Sequence, residues 1–173
     1  MSGKGGDEAA WVGARRFVVD ALERDGTFLD CGCAIGYLME CVPRWAAGKG
    51  LRVEPYGIDI IPELVALARR RLPHWANRIW VGNVLHWTPP RRFDVVRAGL
   101  EYVPARRRGD LVRHLLRDVA VPGGRVVLGP FSEEPDHHAT EDALASWGLP
   151  PSGGSQVTHP DPRVVRRLLW IDA

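Results

Sequence analysis

Lysine is almost missing from this chain. Of 23 lysine and arginine residues only Lys4 and Lys49 are lysines, and the rest are arginines. Arginine favours planar, bidentate partners, but 21 acids leave a net charge of only +2. The short basic runs at 69–71, 91–92 and 106–108 are dispersed, with no aromatic partners at regular spacing. They read as solvated helix faces rather than as a phosphate-binding surface, which speaks against nucleic acid as a partner.

Cysteine is scarce too. Cys31, Cys33 and Cys41 cannot pair fully, and the first two stand one residue apart. They are expected as reduced thiols of a cytoplasmic protein. Cys31-x-Cys33 has no partner His or Cys at zinc spacing, so no metal is expected. No stretch approaches the ~20 consecutive apolar residues of a membrane span. The opening "MSGKGGDEAA" carries acids where a secretory signal has its apolar segment. What remains is an ordinary globular composition, 45% hydrophobic in 173 residues, enough for one core without disulfides or metal.

Apolar strands alternate with amphipathic helical segments, which argues for a largely parallel sheet covered by helices. The pattern predicts a helix over 8–23, a strand at 27–31 and a helix at 35–47. Pro55 is expected to confine the second strand to 56–60, and a helix follows from Pro62. "RIWVG" and "FDVVRA" read as the third and fourth strands. A helix at 105–119, the turn "VPGG" and the fifth strand "RVVLGPF" come next. A short helix at 140–147 precedes two C-terminal strands, "SQVTH" and "VVRRLLW". The expected architecture is α/β, a three-layer Rossmann-like sandwich with a mostly parallel seven-stranded sheet and an antiparallel C-terminal strand. In such sheets ligands bind beyond the carboxyl ends of the strands, near the switch in strand order. The turn "DCGCAIG" ends the first strand and is the ligand-site candidate.

That turn does not fit a phosphate-bearing ligand. A dinucleotide G-x-G-x-x-G starting at Gly32 fails at Ala34 and Tyr37. A G-x-x-x-x-G-K-[ST] loop fails because Gly48–Lys49 is followed by Gly50 and position 43 is proline. What remains is D-x-G-x-x-x-G, formed by Asp30, Gly32 and Gly36.

With this turn, "YGIDIIPELVALAR", "VGNVLHW", "FDVV" and "VPGGRVVL" follow in order. From residue 28 onward the chain resembles the class I S-adenosylmethionine-dependent methyltransferases. The resemblance implies S-adenosylmethionine as methyl donor and S-adenosylhomocysteine as product. It implies one methyltransferase domain over 1–173: an N-terminal helix and possible cap at 1–26, a cofactor-binding core at 27–130, and a substrate-side loop with a C-terminal hairpin at 131–173. By the same resemblance Asp30 helps hold the turn and the ligand's ammonium group, although a strand-end aspartate also caps a turn on its own. Asp59 can accept both ribose hydroxyls, or serve only the following helix. Asn83 stands where the family usually has an aspartate facing the adenine amino group; it keeps an acceptor oxygen, or is simply a turn residue after Gly82. Cys33, Ala34, Ile60, Val84, Arg97 and Ala98 complete the cofactor-binding positions.

The acceptor side is less legible. Methyl transfer is an in-line displacement, and positioning with exclusion of water supplies most of the acceleration. Glu101 and Tyr102, after the fourth strand, are candidates for a base or an orienting group; a solvent glutamate and a packed tyrosine would look the same. His137 and His138 read as loop surface. No N-P-P-Y-like run or Pro-Cys follows the fourth strand, which sets aside amino-methylating and cytosine-C5 nucleic-acid enzymes. The expected acceptor is a small molecule, held by the N-terminal helix and the loop at 131–138, or else a larger one docking on an open face. Two other functions share this strand–turn–helix geometry: a non-catalytic S-adenosylmethionine-binding module and a nicotinamide-dependent oxidoreductase.

Overall fold

The structure is a computed structural model that describes residues 4–173, with side chains from residue 8 onward. Residues 1–3 of the acidic opening lie outside it. The elements are α1 (Lys4–Gly13), β1 (Gly26–Cys31), α2 (Tyr37–Ala47), β2 (Val53–Asp59), α3 (Pro62–Arg71), β3 (Ile79–Val81), β4 (Phe93–Ala98), α4 (Arg108–His114), β5 (Ala120–Glu133), α5 (Ala139–Ser146), β6 (Gly153–Thr158) and β7 (Val165–Asp172). The seven strands form one sheet in the order β3-β2-β1-β4-β5-β7-β6. β1 to β5 run parallel, and β7 is antiparallel to both β5 and β6. The chain order reverses between β1 and β4, so the carboxyl end of β1 lies at the switch point where ligands bind.

The central strands β1, β4 and β5 are largely buried on both faces, which is why they read as near-continuous apolar runs. On one face Leu29, Val96, Val126 and Leu128 pack against Leu111 and Leu115. On the other, Phe28, Val127 and Leu168 pack against Phe17, Val42 and Trp45. The helical layers come from the amphipathic segments read in the sequence.

Four boundaries depart from expectation. The helix over 8–23 splits: α1 ends at Gly13, and Arg16–Ala21 winds as a 3-10 turn. Glycine weakens a helix interior, and the turn buries Phe17, Val18 and Val19 in succession, more than one α-helical face can. β2 starts at Val53 and includes Pro55, paired with Phe28. Proline is tolerated because β3 reaches only Gly57 to Asp59, leaving β2 an edge strand at Pro55. The helix over 105–119 is a 3-10 turn at Ala105–Arg107, then α4, then a π turn at Leu115–Val119. "VPGG" is no separate turn but a bulge inside β5, where the register against β4 shifts and Gly123 takes φ +73°.

The arginine run at 69–71 is more than a solvated face. Arg69 donates to the Ile79 carbonyl of β3, and Arg71 donates to the Ile35 carbonyl of the turn before α2 at 2.6 Å.

Phe28 is fully buried between β1 and the helical layer. Phe28→Ala should therefore cost about 3–5 kcal/mol through lost burial and the cavity left behind, read as a lower urea midpoint at an unchanged slope. A loss below about 1 kcal/mol would mean the sheet face is not packed as described.

Candidate functional site

The turn after β1 is held by backbone and one carboxylate. The Gly32 and Cys33 N–H groups both donate to the Ile58 carbonyl, at 2.8 and 3.0 Å. Gly36 then caps α2 in the left-handed conformation, φ +78°, and donates to the Cys33 carbonyl. Ala34 also has positive φ, +47°. That unfavourable geometry is supported by Asp59, whose Oδ2 accepts from the Ala34 N–H at 2.8 Å. The other Asp59 oxygen accepts from the Ile61 N–H at 2.9 Å, at the start of α3. Asp59 thus joins the turn to the following helix, while each oxygen keeps a second lone pair.

Cys33 explains why no glycine is needed at its position. Its side chain turns into the core with Met39, Val65 and Ala68, and Gly57 opposite leaves the room, since a Cβ there would meet the Cys33 sulfur at 2.8 Å. All three cysteines are free and buried. Burial raises the Cys31 and Cys33 thiols well above their ordinary range, so they are not nucleophiles at neutral pH.

Asp30 is 2% exposed and lies beside Arg97 on the adjacent β4, with an Oδ1 to Nη1 distance of 3.1 Å. Arg97, itself buried, also donates to the Gly129 carbonyl at 2.6 Å and to the Tyr102 hydroxyl at 2.9 Å. Burial pushes the Asp30 carboxyl up, and the charge and hydrogen bond of Arg97 oppose it. Burial works against the Arg97 charge, but Asp30 and Tyr102 hold the guanidinium above its ordinary range. Burial pushes the Tyr102 phenol up to about 12. At neutral pH Tyr102 is therefore a hydrogen-bonding group and not a base. Its ring covers Gly32, where a Cβ would meet ring atoms at 2.7 Å.

Asp30, Gly32, Cys33, Ala34, Arg97, Glu101 and Tyr102 share one cavity of about 360 Å³ at the carboxyl ends of the strands. Gly36, Asp59, Ile60, Asn83, Val84 and Ala98 do not line it. Ile60 is 61% exposed at the end of β2, near Val81 at the end of β3. Asn83 follows β3, and its Oδ1 accepts from the Leu85 N–H at 3.0 Å, the local bond of a turn asparagine. Val84 and Ala98 are buried in the core.

The other wall of this cavity is made by Trp11, Arg15, Tyr37 and Pro130; the sequence pointed to the N-terminal helix and to the turn running to Tyr37, but not to Arg15 or Pro130. The Trp11 and Tyr37 rings meet edge to face at 4.5 Å, and the Arg15 guanidinium lies 4.6 Å from the Trp11 ring centroid. The i,i+4 spacing of Trp11 and Arg15 was the available signal. The loop at 134–138 lies elsewhere. Arg167, 8% exposed, pairs with Glu133 and donates to the Pro135 and His137 carbonyls. That anchored loop borders a second hollow with β6 and β7.

Solved structures of this shape place the fold. The 1,6-didemethyltoxoflavin-N1-methyltransferase of Burkholderia thailandensis, solved with 1,6-didemethyltoxoflavin and S-adenosylhomocysteine, superposes with a TM-score of 0.64 at 20% identity over 96% of this chain and 79% of that one. The magnesium protoporphyrin IX methyltransferase of Synechocystis PCC 6803, solved with S-adenosylmethionine, gives 0.62 at 16% identity, covering 98% and 80%. The fold is that of the class I S-adenosylmethionine-dependent methyltransferases. The [4+2]-cyclase SpnF also superposes, with a TM-score of 0.64 at 16% identity, covering 98% of this chain and 81% of that one. No family model and no curated protein matches the sequence.

The Asp30–Arg97 pair gives a pH-dependent test. An acid raised in the folded state binds its proton more tightly there, so the cost of ionising it appears as pH rises from the unfolded carboxylate range through the raised value. Removing Arg97 takes away the influences that oppose that rise. Arg97→Leu should destabilise the protein by about 3–5 kcal/mol near neutral pH and by clearly less near pH 5. Urea unfolding at both pH values checks this; an equal loss at both would refute it.

Proposed function

We propose that this protein transfers the methyl group of S-adenosylmethionine to a small-molecule acceptor. The carrying observation is the geometry at the switch point: a glycine turn without a phosphate cradle, joined through Asp59 to the end of β2, above a cavity of about 360 Å³. Methyltransferases of this fold, solved with the donor or its demethylated product, support the reading.

The residues suit that ligand. Asp59 lies at the carboxyl end of β2 with acceptor capacity for a pair of ribose hydroxyls. Ile60 and Val81 offer exposed apolar surface beside it for a planar base. The Asn83 carbonyl oxygen keeps one lone pair for an exocyclic amine while bonding Leu85. The turn at 32–36, with Asp30 and Arg97 beneath it, receives the amino-acid end. When bound, the donor supplies an electrophilic methyl group. The protein's part is to hold acceptor and donor in line and keep water out. Glu101 lines the cavity and takes a proton from acceptors that carry one at working pH. Tyr102, neutral at that pH, orients the acceptor.

A non-catalytic binder is the second reading. Under either reading the Tyr102 ring lying over Gly32 must shift before a ligand can touch the turn.

S-adenosylhomocysteine at about 100 times its dissociation constant should stabilise the protein by about 2.7 kcal/mol. Asp59→Ala should weaken that binding about 100-fold, the loss of two charge-assisted hydrogen bonds, with a native circular dichroism spectrum. Titration calorimetry reads both. Unchanged affinity in the variant removes the ribose role, and no binding by the wild type overturns the methyl-transfer reading.

A further inference from the structure

Tyr102 occupies ground that a ligand of the turn needs. A Cβ on Gly32 would meet its ring atoms at 2.7 and 2.8 Å and its hydroxyl oxygen at 2.9 Å. That hydroxyl accepts from Arg97 Nη1 at 2.9 Å. Beside the ring, the Asp30–Arg97 pair keeps one unbonded atom on each member. Arg97 bonds through Nε and Nη1 and Asp30 through Oδ1, whereas Nη2 and Oδ2 bond to none of the described residues. The two side chains are only 9% and 3% exposed. Among the described residues no side-chain nitrogen or oxygen is sealed from the surface without a partner. Nη2 and Oδ2 therefore open on the cavity that both residues line. A desolvated pair with a free bonding atom on each charge suits a ligand end that also carries both signs. An α-amino acid is such an end, its ammonium facing Asp30 and its carboxylate facing Arg97.

The ring is free to leave. It sits at the end of the 3-10 turn Leu100–Tyr102, where the Tyr102 N–H reaches the Gly99 carbonyl only at 3.4 Å. Tyr102 is 38% exposed, so rotation about its own side-chain bonds carries the ring toward solvent and asks no change of β4. Leaving costs the phenol its bond to Arg97. A carboxylate more than restores that bond, because it accepts from the guanidinium as a full opposite charge where the phenol offers a neutral oxygen.

We propose that Tyr102 is a gate on the donor site. In the free protein its ring and hydroxyl fill the subsite of the donor's amino-acid end. The donor enters as the ring swings off Gly32, and the donor's carboxylate takes the side of Arg97 that the phenol leaves. This rests on the methyl-transfer reading above.

The test titrates S-adenosylhomocysteine, which has the amino-acid end, and 5′-methylthioadenosine, which lacks it, into wild type, Tyr102→Phe and Tyr102→Ala. A gate lowers the apparent affinity of a ligand that needs the subsite by the fraction of protein that stands open. Tyr102→Phe loses the hydroxyl's bond to a charged group and should bind S-adenosylhomocysteine about tenfold more tightly. Tyr102→Ala, without the ring, should gain at least as much. The affinity of 5′-methylthioadenosine should stay the same in both, which also reports that the nucleoside side of each variant is folded. Should Tyr102→Ala lose both compounds through misfolding, the conservative Tyr102→Phe decides. Equal or weaker binding of S-adenosylhomocysteine by Tyr102→Phe overturns the gate. Equal tightening of both compounds overturns its assignment to the amino-acid end. Binding of neither compound by wild type or variants overturns the methyl-transfer reading and the gate with it, whereas wild type that binds S-adenosylhomocysteine keeps that reading whatever becomes of the gate.

Discussion

Arg97 is the point on which the carboxyl end of the sheet is organised. It is buried between β1 and β5, and burying a guanidinium is costly unless partners receive its donors. The Gly129 carbonyl accepts from its Nε–H, and Asp30 and the Tyr102 hydroxyl accept from its Nη1. One side chain therefore sets the lateral spacing of three strands and fixes the loop after β4. The pair adds little net stability compared with an apolar filling, but breaking it leaves an uncompensated charge. Its value lies in allowing one arrangement of β1, β4, β5 and the Tyr102 loop.

Asp59 plays the complementary part on the other side of β1. Its two oxygens hold the Ala34 and Ile61 N–H groups, so the turn and the start of α3 move as one piece. Any group that donates to the free lone pairs of Asp59 meets a carboxylate already immobilised, which lowers the entropy lost on binding. The turn works with cysteine and alanine in place of glycine because Cys33 packs inward against Met39 and Asp59 supports Ala34.

Much of this was legible in the sequence. The strand–helix alternation gave the sheet and its switch point, because buried parallel strands show continuous apolar runs whatever their neighbours are. Asp59 could be read because a carboxylate ending a strand has a position fixed by that strand alone. Arg97 could be placed at the end of β4, but its partnership with Asp30 depends on the register of β1 against β4, which no local pattern encodes. Pro55 misled for the same reason: whether a proline interrupts a strand depends on how far the neighbour extends, and β3 is short. The helix over 105–119 failed on the last turn, where the chain widens to a π turn to bury Leu115 and Val119. Trp11 and Arg15 showed the right spacing, yet a helix face does not announce which cavity it will border.

The short β3 and the proline beside it have a further consequence for life in a crowded solution. An exposed sheet edge is a template on which another chain can add a strand, the first step of edge-to-edge aggregation. At this edge the outermost strand has three residues, and the stretch of β2 it leaves uncovered carries Pro55, which has no N–H to offer. The opposite edge, β6, is tied to the N-terminal segment by the Ser155 hydroxyl donating to Asp20 at 2.6 Å. The β3 edge thus offers a stray strand little backbone to pair with.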